Sequence, residues 1–145
     1  MYRPCSDNQA QAALQAAWDG GIRYFDTAPF FGSGVAEDRL GHFLASKPRG
    51  SFCISTKAGR LMYPIAAKEA PFHGFPNAHA AQVTFNYSGT GTGLRKSIQS
   101  SLTRLGLTHL DILLVHDIGT LGHPPPISPA AGATLSPPAC RCFRR

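Results

Sequence analysis

Apolar positions along this chain change rhythm several times, and each change marks an element. Ala10, Leu14, Ala17 and Trp18 recur at helical spacing. Ser6-Asp7-Asn8-Gln9 stands in front of them as a capping box, and Gly20-Gly21 closes the helix. A short run, Ile22–Asp26, follows directly and reads as a strand. After the polar turn Gly32-Ser33-Gly34 comes a second helical stripe, Ala36, Leu40, Phe43 and Leu44, stopped by Lys47-Pro48-Arg49-Gly50. Phe52–Lys57 is the second strand. Leu94, Ile98, Leu102 and Leu105 set out a third helix ending at Gly106. The third strand, Leu110–His116, is almost wholly apolar, the pattern of a strand covered on both faces. Between Gly59 and Gly93 no period is sustained, and Pro64, Pro71 and Pro76 interrupt the segment. It reads as a long loop, a length expected of a functional lid or a disordered stretch.

The order is therefore α-β-α-β-α-β, the signature of right-handed βα units around a parallel sheet. Each strand ends on a polar residue of a different kind: Asp26, Lys57 and His116. In neighbouring parallel strands these three would meet at the carboxyl-terminal rim, at one register, where α/β barrels carry their chemistry.

Composition narrows the picture. A chain of 145 residues holds one modest domain, shorter than the roughly 250 residues of a closed eight-stranded barrel. The net charge of +6 is uneven, because Arg141, Arg144 and Arg145 contribute half of it at the end of the chain. It outlines no nucleic-acid face. No stretch approaches the ~20 apolar residues of a membrane span, and Met1–Cys5 lacks the features of a signal peptide. Cys5, Cys53, Cys140 and Cys142 make no disulfide framework, and His42, His73, His79, His109 and His123 show no ligand spacing. The expectations are reduced thiols, a cytoplasmic setting and no metal. Residues 120–145 contain half of the twelve prolines and no period, so the chain divides into a folded part, 1–119, and a disordered Pro-rich tail, 120–145.

A lysine beside an aspartate stays charged and stabilises a developing oxyanion, and a neutral histidine can donate to a carbonyl oxygen. That set suits the protein's share of a hydride transfer. Singly, Asp26 could cap a turn, Lys57 could be a solvated strand end and His116 could pair with Asp117. Together they favour a site.

Three segments carry a resemblance. Gly21–Glu37 contains Asp26-Thr27-Ala28-Pro29-Phe30-Phe31-Gly32, the second segment is Ser55-Thr56-Lys57-Ala58-Gly59-Arg60, and the third joins Ser100–Gly106 to Leu110–Asp117. In this order they resemble the aldo-keto reductase family, and most closely its branch acting on pyridoxal, L-fucose and D-threo-aldoses. The resemblance implies a partial (β/α)₈ TIM barrel of about three parallel strands with their helices. It implies NAD or NADP as cofactor and a small-molecule alcohol, aldehyde or sugar as substrate. Catalytic positions would be Asp26, Phe31, Lys57 and His116, with Asp26 also meeting the cofactor. The family has a tyrosine where this chain has Phe31, and a phenyl ring has no proton to exchange. The family's first strand would precede Met1 and its last four would follow Gly119, carrying most of the dinucleotide contacts. A truncated or frame-shifted product, weakly active or inactive alone, is the expectation. Two other readings stand beside it. One is a non-catalytic interaction module using open sheet edges and the Pro-rich tail. The other is a metal-dependent hydrolase built on Asp26 and His116, which Lys57 disfavours.

Overall fold

The computed structural model describes residues 5–64, 83–87 and 90–116. Helix α1 (Asp7–Asp19) begins at the expected capping box: the Ser6 N–H donates to Gln9 Oε1 at 2.9 Å and the Gln9 N–H to Ser6 Oγ at 3.2 Å. Strand β1 (Tyr24–Asp26) leads through a turn to helix α2 (Val35–Leu44), a single 3₁₀ turn (Arg49–Ser51) and strand β2 (Cys53–Ala58). Strands β3 (Arg60–Pro64) and β4 (Val83–Tyr87), helix α3 (Gly91–Leu105) and strand β5 (Ile112–Val115) complete the order. β2 is the centre of a parallel sheet β1-β2-β5, as the α-β alternation requires.

Alternation along β1 and β2 divides the sheet into two faces. Phe25 and Ile54 turn toward the helices and join Leu40, Phe43, Leu44, Phe52 and Leu105 in the core. Trp18 brings α1 onto that core, stacked on Phe25 and edge-on to Phe43, with the Arg23 guanidinium 3.9 Å above its ring. The periodic stripes of α1 and α2 thus point where the sequence places them.

Three expectations are corrected. The segment from Gly59 to Gly93 is not all loop, because β3 and β4 pair antiparallel within it, Arg60 opposite Tyr87. Cross-strand pairing is a contact between distant residues and leaves no helical or alternating trace strong enough to override the prolines. In α3 the buried row is Gly93, Ser97, Ser101 and Leu105, while Leu94, Ile98 and Leu102 are only half-buried. Small side chains let this helix sit close to its neighbours: Ser97 Oγ accepts from the Gly59 N–H and donates to the Arg60 carbonyl. Finally, β5 is not covered on both faces. Its residues are 39–50% exposed, because β5 forms an edge of the described sheet. Residues 65–82 and the tail from 120, for which the sequence suggests a loop and disorder, lie outside the described residues.

Close helix contact has a steric requirement at Gly41. A Cβ there would lie 2.7 Å from the backbone oxygens of Arg104 and Leu105, which cannot yield as a flexible side chain would. Between the same helices and β2 lies a buried carboxylate. Glu37 has no exposed surface; its Oε1 accepts from Thr56 Oγ1 and its Oε2 from Arg104 Nε, each at 2.6 Å. Arg104 in turn donates to Ser100 and Ser101. Every charge in the cluster is met by a partner, the condition under which buried ions are tolerated.

Two substitutions test these contacts. Gly41→Ala forces α2 from α3 and is expected to cost about 1–3 kcal/mol. Glu37→Ala strands Arg104 and Thr56 and is expected to cost ~3–5 kcal/mol. Urea unfolding followed by circular dichroism measures both, and wild-type midpoints would refute the packing account.

Candidate functional site

On the sheet face turned away from the helices, register decides which side chains meet. Tyr24 and Asp26 share that face of β1, and Asp26 pairs with Ser55 of β2. Lys57 lies two residues beyond Ser55 on the same face. β5 is fixed against β2 by Asp111, whose N–H donates to the Ile54 carbonyl while its Oδ2 accepts from the Ile54 N–H at 2.8 Å. Arg49 pairs with the same carboxylate at 2.7 Å. The pairing Lys57 with Leu114 follows, and the His116 N–H donates to the Ala58 carbonyl. His116 thus stands about two residues above Lys57, which itself stands two above Asp26. The three are not level, as the sequence suggested; they climb stepwise across the sheet, as stagger in a tilted barrel requires.

The steps are short enough for contact. Lys57 Nζ lies 2.8 Å from Asp26 Oδ2 and donates to the Thr27 carbonyl at 2.9 Å. Ser55 Oγ donates to Asp26 Oδ1 at 2.5 Å, and the Tyr24 hydroxyl lies 3.0 Å from Ser55 Oγ. His116 is buried and meets the rings of Phe30 and Phe31 edge-on, with centroids 6.0 and 6.3 Å away. Phe31 also touches the ammonium: Lys57 Nζ is 5.0 Å above its ring. The phenyl ring therefore bridges Lys57 and His116. It is carried there by the turn between β1 and α2, where Gly32, Ser33 and Gly34 all adopt positive φ. Gly34 could not be replaced freely, since its φ is +91° and a Cβ would lie 2.9 Å from Arg104 Cδ.

Burial pushes the Asp26 carboxyl upward, but hydrogen bonds from Lys57 and Ser55 and the charges of Lys57 and His116 outweigh it. The net direction is below the ordinary aspartate value. Asp26 is thus ionised at neutral pH and anchors a fixed ammonium. An ammonium and an imidazole on one rim can polarise an oxygen placed between them and stabilise charge that develops there. Among the described residues no group of three or more His, Cys, Asp or Glu could hold a metal ion, and no helix is long and apolar enough to cross a membrane.

Sequence reasoning reached Asp26, Phe31, Lys57 and His116 but passed over Ser55. The period of two through Tyr24, Asp26, Ser55 and Lys57 was the available signal. Which residues it would pair across strands depends on register.

Comparison with known proteins decides the lineage. The Aldo/keto reductase family model matches residues 1–128. The chain belongs to the aldo-keto reductase family. It is 45% identical over 124 residues to D-threo-aldose 1-dehydrogenase of a Pseudomonas species, covering 81% of this chain and 36% of that protein. It is 42% identical to pyridoxal 4-dehydrogenase of Microbacterium luteolum, covering 85% and 38%. The chain therefore spans little more than a third of the length of these curated relatives. Among solved structures, a glycerol dehydrogenase of Gluconobacter oxydans is similar at a TM-score of 0.57 and 26% identity, covering 77% of this chain and 30% of that one. An aldo-keto reductase of Pseudomonas aeruginosa also scores 0.57 at 28% identity, over 80% and 38%. The described architecture is part of a TIM barrel, as the resemblance implied.

The paired carboxylates predict a sign for acid stability. Burial also pushes the Asp111 carboxyl upward, but the Ile54 N–H and Arg49 outweigh it and hold it below its ordinary value. Both acids bind protons less tightly folded than unfolded. Their stabilisation is present above the unfolded value, about 4, and fades as pH falls through the lower folded values. Urea midpoints measured from pH 7 to pH 2 should fall below about pH 4, and more shallowly in Asp26→Asn and Asp111→Asn. Equal acid slopes in all three proteins would contradict the assignment.

Proposed function

We propose that this chain supplies the oxygen-binding part of an oxidoreductase site. The reaction interconverts an alcohol and a carbonyl compound by hydride transfer with NAD or NADP. The observation that carries the reading is Lys57, gripped by Asp26 and the Thr27 carbonyl beside the ring that it shares with His116. In this reading Lys57 and His116 receive the substrate oxygen, and Asp26 holds Lys57 in place. The donor set fits a nicotinamide dinucleotide on one side: Asp26 can accept a hydrogen bond from its riboside end. When bound, that cofactor supplies or takes the hydride.

In the reducing direction the carbonyl oxygen gains an electron pair as the hydride reaches carbon, and it then needs a proton. Phe31 cannot give one. The rate falls by on the order of 10²–10⁴ when such a group is lost, so weak turnover follows. A sugar or pyridoxal-like alcohol is supported by the names of the two relatives, D-threo-aldose 1-dehydrogenase and pyridoxal 4-dehydrogenase. We place the chain in the cytoplasm, where the free thiols of Cys5 and Cys53 stay reduced.

The test is a graft. Residues 5–116 replace the matching stretch of D-threo-aldose 1-dehydrogenase, and cofactor-linked oxidation is followed by absorbance. Phe31→Tyr in the graft should raise kcat by roughly 10²–10⁴, and Lys57→Met should abolish activity. A folded graft in which Phe31→Tyr changes nothing would mean that another residue already exchanges the proton.

One observation favours a second reading, in which the chain is an interaction module. The residues Ile112–Val115 of edge strand β5 are apolar and exposed, a surface that invites strand pairing. Sedimentation velocity separates the two readings: a module predicts a complex of fixed stoichiometry with its partner, and a broken barrel predicts heterogeneous aggregate.

A further inference from the structure

We propose that Ser55 is a positioning residue of this site and that the Tyr24 phenol steadies it by donating to its hydroxyl. The inference rests on the reading of the rim as a hydride-transfer site, but its geometry stands by itself. Ser55 is wholly buried, with Asp26 Oδ1 at 2.5 Å on one side of its hydroxyl and the Tyr24 oxygen at 3.0 Å on the other. A serine hydroxyl has one proton to give. An ionised aspartate can only accept, so that proton goes to Asp26. The Tyr24 proton then goes to Ser55, and the sequence Tyr24 to Ser55 to Asp26 runs in one direction.

The consequence falls on Lys57. With Oδ1 held by Ser55, the carboxylate presents Oδ2 to Nζ, which lies 2.8 Å away. Without Ser55 the carboxylate torsion is soft, since a terminal sp³–sp² bond has broad wells. Asp26 is 42% exposed, so water can take either oxygen. The ammonium would then lose its fixed place between Asp26, the Thr27 carbonyl and the Phe31 ring. Ser55 thus acts through Asp26, one step behind the groups that face substrate, and Tyr24 acts through Ser55.

The experiment follows the Asp26 carboxyl itself, in the full 145-residue chain. Side-chain carbons of aspartate are labelled with carbon-13 and titrated by NMR, and the Asp26 signal is identified by its loss in Asp26→Asn. Ser55→Ala should raise the Asp26 midpoint by about half a unit to one unit, because a hydrogen bond to the charged form is lost. Ser55→Thr keeps the hydroxyl and should restore the wild-type midpoint. Tyr24→Phe keeps the ring and should raise the midpoint by a smaller amount. A midpoint unchanged in Ser55→Ala, or raised equally in Ser55→Thr, overturns the role of Ser55. No shift in Tyr24→Phe overturns the share of the phenol. Should Ser55→Ala fail to fold, Ser55→Cys, a weaker donor, takes its place, and an Asp26 midpoint unchanged in it overturns the role of Ser55 equally. An inactive graft alongside the expected midpoints would count against hydride transfer and leave the positioning role standing.

Discussion

The Glu37 carboxylate, shut away from water between α2, β2 and α3, holds the rest of the structure in register. Its two oxygens take Thr56 from the sheet and Arg104 from the last turn of α3, so three elements distant in sequence share one charged centre. Thr56 sits between Ser55 and Lys57. Because side chains alternate along a strand, fixing Thr56 on the helix side fixes Ser55 and Lys57 on the other. A slip of one residue would bury Lys57 in the helix layer and turn Thr56 to the rim. The ionic cluster on one face thus specifies the ionic cluster on the opposite face.

Phe31 ties the rim together. Its ring spans the gap between Lys57 and His116. A cation above an aromatic face is favourable, so the Lys57 ammonium has a partner there. A phenyl ring offers no exchangeable proton, so its part at the rim is packing.

Among the described residues, β5 stands at an edge of the parallel sheet. Its apolar residues have the composition of an interior strand while their exposure is that of an edge. The curated relatives are nearly three times as long as the matched stretch, and a closed barrel leaves no edge of this kind.

Much of the site was legible in the chain itself. Short apolar runs ending on Asp26, Lys57 and His116 follow from the two-residue period of strands. The capping box at Ser6 and the stripes of α1 and α2 follow from helical spacing, because each is a contact between near neighbours. Tertiary structure decided what depends on distant pairing: the stepwise climb of the three polar residues, the hairpin of β3 and β4, and the serine-lined face of α3. It also decided that Glu37 and Arg104, which look like surface charges in the sequence, are buried partners 67 residues apart. Local periodicity reports which face a side chain occupies. The register between strands, and so what that side chain touches, is set by contacts that no local pattern contains.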